Sequence, residues 1–100
     1  MTSPRYSPEA LAQLEEIETY LIERAGSSVA DAYLDRLLDF CDEIATDPFA
    51  GHHRDDLLLG LRTRIFERRR VVCFLVTADD IHIIAIFSAG QDWEQILRDR

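Results

Sequence analysis

The hydrophobic period of this 100-residue chain changes once, in the stretch from Pro48 to Arg62. Before it, apolar residues recur every three or four positions; from Leu61 onward they recur every two. A helix repeats its faces every 3.6 residues and a strand every two, so each half demands a different element.

The first half reads as two helices. Ser7-Pro8-Glu9 is a start signal: serine caps, proline suits the first turn, and glutamate complements the dipole. Ala10, Leu14, Ile17 and Leu21 then form an apolar stripe that Gly26 ends. A second stripe runs Ala30, Leu34, Leu37, Cys41 and Ile44, starting at Ser27 or Ser28, with Asp31 in a capping-box position. Asp47-Pro48 closes it, because the residue before proline avoids the helical region. So short a connection forces the helices antiparallel.

The second half reads as strands. Leu61, Thr63 and Ile65 share one face, and Arg62, Arg64 and Phe66 the other. Glu67-Arg68-Arg69 and Ala78-Asp79-Asp80 are turns around the apolar run Val71–Val76, and Ile81–Phe87 is a further β-rich run. Ser88–Asp92 is a loop, and Asp92–Leu97 one or two helical turns. The expectation is an α+β fold of one domain over residues 1–100: an N-terminal antiparallel helix hairpin packed on a three-stranded antiparallel β-sheet, with a short C-terminal helix.

Charge is distributed as unevenly as the periods. The chain carries −8 overall and has no lysine, yet residues 62–70 hold five arginines against Glu67. Residues 9–47 hold eleven acids against Arg24 and Arg36. Phosphate repulsion from this acidic half disfavours broad or sequence-specific nucleic-acid binding, while the basic strip suits an anionic partner. The longest apolar run is far too short to span a bilayer and no signal peptide is visible, so the default location is cytoplasmic, away from membranes. Cys41 and Cys73 fit no CxxC or secreted framework and read as reduced core thiols.

A helix hairpin covers one face of a sheet, but Val71–Val76 is apolar on both faces. Unless the terminal helix covers the second face, an apolar patch rimmed by Arg62, Arg64 and Arg70 is left for a partner. His52-His53 with Asp55, Asp56 and His82 lacks zinc spacing, and a solvated loop is the better reading. Arg54 is expected to pair with Asp47, Asp55 or a helix terminus. Ser88 has no base to activate it, since His82 lies too far along the same strand. Trp93 serves equally well as an interface anchor or as the residue that docks the last helix.

Two amphipathic helices followed by Pro48-x-x-Gly51-x-x-Arg54, then Gly60-Leu61-Arg62 and Ile86-Phe87-Ser88-Ala89-Gly90-Gln91-Asp92, resemble the ParE-type toxins of the ParE/RelE superfamily. The resemblance implies the toxin of a type II toxin–antitoxin module, neutralised by a ParD-like or similar antitoxin that folds upon it in a hetero-oligomer. It further implies inhibition of DNA gyrase, with no active site, metal or cofactor. RelE relatives instead cut messenger RNA on the ribosome. Arg70 matches a RelE catalytic arginine, but Gln91-Asp92 stands where RelE proteins place basic residues, and no tyrosine follows Tyr33. A non-toxic antitoxin-binding homologue is the third reading. Together the strand pattern and the resemblance nominate Arg62, Arg64, Phe66, Arg70 and Trp93 for antitoxin or target binding.

Overall fold

The structure, a computed structural model, describes residues 3–99. Strand β1 (Arg5–Tyr6) leads into helices α1 (Pro8–Ala25) and α2 (Ser27–Thr46), and a 3-10 turn at Pro48–Ala50 into strand β2 (His52–His53). Strands β3 (Arg62–Phe66), β4 (Arg70–Val76) and β5 (Ile81–Ser88) follow, then helix α3 (Trp93–Arg98). The sheet has five strands in the order β1-β5-β4-β3-β2. β1 runs parallel to β5 and every other pairing is antiparallel.

The three-stranded antiparallel sheet expected from sequence is therefore the centre of a five-stranded mixed one. The two added strands have two residues each. A period-two signal needs at least four residues, so backbone pairing alone reveals these edges.

Ser7 fixes the first helix to the sheet. Its hydroxyl accepts from Ala10 N–H at 3.0 Å and donates to Ile84 O at 2.8 Å, while its own N–H donates to Ile83 O at 2.9 Å. Gly26, at φ +91°, is the whole connection between α1 and α2. It also occupies the N-cap of α2, where no side chain caps, so the capping box expected around Ser28 and Asp31 does not form.

Each sheet face carries its own core. On the helix-hairpin side Ala10, Ile17, Leu37, Cys41 and Ile44 meet Phe66, Val72, Phe74, Ile81, Ile83 and Ile86. On the other side Leu61, Val71, Cys73, Ala85 and Phe87 are covered by Leu97 of α3, with Trp93 and Leu57 packed against them. A β-bulge lets β5 serve both cores. Cys73 pairs with Ala85 and Phe74 with Ile83, so Ile84 is the extra residue. It resets the alternation and allows Ile83 and Ile86, three apart, to face the helices together.

This arrangement corrects the expected patch. Phe66 lies in the hairpin-side core, and the cross-strand partner of Arg62 is Phe74 of that same core. The three arginines thus edge the helix-covered face, while α3 and the loop after β2 cover the opposite one. Ile65, 59% exposed, remains open there. Among the described residues no helix is long and apolar enough to cross a membrane.

Gly51 sits where no side chain fits. A Cβ built on it would lie 2.9 Å from Phe74 Cζ and 3.1 Å from Thr63 O. We expect Gly51→Ala to cost about 1–3 kcal/mol in chemical denaturation through overpacking. Gly90→Ala meets nothing within 4 Å and should stay within about 0.5 kcal/mol of the parent.

Cys41 and Cys73 are free and buried, and burial pushes their thiols up to about 11 and about 12. A folded state that holds thiol protons more tightly than the unfolded chain loses stability as pH rises. That stability is complete below the ordinary thiol range and should drain between pH 9 and about 12. Denaturation midpoints measured across this window should fall less steeply in Cys73→Ala than in the parent.

Candidate functional site

The basic segment of the sequence becomes one face of a strand. Alternation along β3 points Arg62, Arg64 and Phe66 to the hairpin side, and the next turn brings Arg70 beside them through its pairing with Phe66. Each arginine then rests on an aromatic ring. Arg62 lies 4.9 Å from the Phe49 ring centre and donates to Phe49 O at 3.3 Å. Arg64 lies 4.9 Å from Phe40, whose ring packs 5.2 Å from Phe66. Tyr33 meets Phe66 edge-on at 5.6 Å. Arg70 Nε donates to the Tyr33 hydroxyl at 3.3 Å, and Arg36 stands 5.4 Å from the same ring.

The result is a stripe of alternating cations and rings from Phe49 to Arg36, along the edge of α2. A guanidinium on a ring keeps its charge, because arginine does not deprotonate, while losing side-chain freedom. An anionic partner meets positions already ordered, which lowers the entropy cost of binding. Phe66 is 5% exposed and acts as the buried support of the stripe rather than as contact surface.

At its far end the stripe opens into a cleft of about 910 Å³ between α1, the β3–β4 turn and the loop after β5. Arg68, Arg69, Arg70, Gln13, Glu16 and Gln91 contribute its polar lining. The turn itself is tight: Glu67 and Arg68 both take positive φ, 48° and 62°, which non-glycine residues adopt uncommonly. Arg36 holds Glu67 by an ion pair of 2.9 Å. Helix and turn are tied together at this point.

Trp93 is separate from the other four nominated residues. It stacks on Phe87 at 6.3 Å on the opposite sheet face and lies 5.4 Å from Arg54. Arg54 pairs with neither Asp47 nor Asp55. It grips Asp56 through two bonds of 3.0 and 2.9 Å and reaches Glu94 in the first turn of α3. The hydrogen bonds it donates to Asp56 and then to Glu94 raise its pKa further, and Arg54 holds Asp56 below the usual carboxylate range. Arg54 thereby bolts α3 to the loop. His52 and His53 are exposed, and among the described residues no group of three or more His, Cys, Asp or Glu is placed to hold a metal.

Sequence reasoning missed Tyr33, Arg36 and Phe40. Their spacing of three and four along α2 was the available signal, since it puts all three on one helix edge.

The family described as "ParE toxin of type II toxin-antitoxin system, parDE" matches residues 5–93, which include the whole arginine–aromatic stripe. No curated protein matches the sequence. Among solved structures, the chain is similar to one from the chromosomal ParDE TA system of P. aeruginosa, at 22% identity and a TM-score of 0.76. The match covers 88% of this chain and 96% of that one. At that identity the likeness speaks for the fold.

If Arg54 holds α3 in place, Arg54→Gln should lower stability by about 1–2 kcal/mol through the lost cation–π contact and charged hydrogen bonds. Trp93 fluorescence should shift to the red and α3 amides should exchange faster. Unchanged emission and exchange would show that apolar packing alone docks the helix.

Proposed function

This chain belongs to the ParE toxin family of parDE type II toxin–antitoxin systems, and on that premise we propose that a cognate antitoxin holds it inactive and that, when released, it inhibits DNA gyrase. The observation that carries the reading is the family match from residue 5 to residue 93. A parDE module pairs its toxin with an antitoxin, and the ordered arginines of the stripe suit an acidic partner. We assign antitoxin or target binding to Arg62, Arg64 and Arg70, with Phe66 as their support and Trp93 as a contribution from the far face. The acidic helices would repel a nucleic-acid backbone, which favours a protein target.

One observation favours a second reading, ribosome-dependent cleavage of messenger RNA. Arg68, Arg69 and Arg70 line the same cleft, and cations there could stabilise phosphate charge. Such a cut also needs an acid for the leaving group. Of the two acids in the cleft, Glu67 is engaged by Arg36 and Glu16 stands on the α1 wall.

The purified chain should block supercoiling by gyrase in vitro, and its expression alone should arrest growth with DNA damage and filamentation. Co-expression of the adjacent gene should restore growth. Arg64→Glu should weaken antitoxin binding by about tenfold or more. Intact gyrase activity with messenger cleavage that vanishes on Arg70→Ala would replace this reading with the nuclease. Harmless expression of folded, antitoxin-binding protein would leave a non-toxic homologue.

A further inference from the structure

Backbone amides on a sheet edge need acceptors, and past its first residues the outer edge of β5 finds them in side chains. β1 pairs only with His82 and Ile83. Beyond it, Ile86 N–H donates to the Gln13 amide oxygen from α1, and Ser88 N–H donates to the Gln91 amide oxygen at 3.1 Å. A side-chain amide oxygen is the same kind of acceptor as a backbone carbonyl. Ile86 and Ser88 are two apart, which is the repeat at which an added strand presents its carbonyls.

The cleft of about 910 Å³ runs along this edge, with Gln13 and Gln91 in its wall. Ile17, Tyr20 and Ile86 give it an apolar floor. Three consecutive arginines face two acids, and Arg36 occupies one of those acids, Glu67. An extended chain laid here could exchange amide for amide on the edge at almost no net cost, because one hydrogen bond replaces another. Carboxylates on it would meet Arg68 and Arg69. A nucleic acid would use the arginines but offers no row of carbonyls for Ile86 and Ser88.

We propose that the cleft is a strand-addition site, where an extended acidic segment of the antitoxin displaces Gln13 and Gln91 and pairs with Ile86 and Ser88 of β5. The proposal rests on the antitoxin reading above and specifies which surface that partner uses. Gln13 and Gln91 act as plugs that keep the edge closed until the segment arrives.

The test is calorimetric titration of the protein encoded beside this chain into the parent and its variants, with hydrogen exchange on the complex. Gln13→Ala and Gln91→Ala each remove a competitor and should tighten binding about two- to tenfold. Charge reversal at Arg68 and Arg69 together should weaken it by about tenfold or more. Exchange at Ile86 and Ser88 should slow on binding in the parent, a readout that does not depend on any variant folding. Binding by the parent with unchanged exchange at those two amides overturns the strand-addition site and leaves the antitoxin reading standing. Sensitivity to the arginines without any gain from the glutamine variants overturns it in favour of electrostatics alone. No binding by the parent removes the antitoxin reading and this inference with it.

Discussion

Residues Val71 to Phe74 of β4 are buried, with Val72 and Phe74 in one core and Val71 and Cys73 in the other, and the remaining architecture answers that constraint. A sheet whose central strand is apolar on both sides must be covered on both. The helix hairpin supplies one cover. The other is assembled from α3 and the loop after β2, pieces too short to be stable alone, and Arg54 holds them together through Asp56, Glu94 and Trp93. The conspicuous arginine of the Pro-x-x-Gly-x-x-Arg motif is thus a fastener of the fold. Gly51 has a similar part, since its missing side chain makes room for Phe74.

Charge separation follows from the same layering. Acids fill the solvent-facing sides of α1 and α2, while the arginines collect where β3 and the β3–β4 turn emerge beside α2. The stripe is therefore a seam between an acidic layer and the sheet. The guanidinium groups of Arg36, Arg64 and Arg70 lie on Tyr33 and Phe40, rings packed against the core, while Arg62 lies on the exposed ring of Phe49. Affinity for an anionic partner depends on such ordering, because flexible surface arginines lose rotamer freedom on binding and ring-bound ones have lost part of it beforehand. The seam runs from Phe49 to the cleft beside β5, so a single extended partner could follow both.

Much of the plan was legible beforehand. Ser7, Gly26 and Pro48 mark helix ends, and the tight turns after Phe66 and Val76 force antiparallel pairing. The family followed from the junction and closing motifs. The two-residue edge strands were not legible, and neither was the bulge at Ile84, because none of them leaves a periodic trace. The assignment of Arg62 and Arg64 to an exposed second face failed for a related reason. Alternation tells which residues share a face but not which face the helices choose, and here both faces are cores.

By itself, then, the sequence determined the element types, their order and the family, since these depend on local spacing and on turn and cap chemistry. Only the tertiary structure decided which side of β3 meets the hairpin, that Arg54 reaches forty residues along the chain to Glu94, and that Gln13 closes the outer edge of β5 at Ile86. Those outcomes depend on contacts between residues distant in sequence, and local patterns carry no record of them.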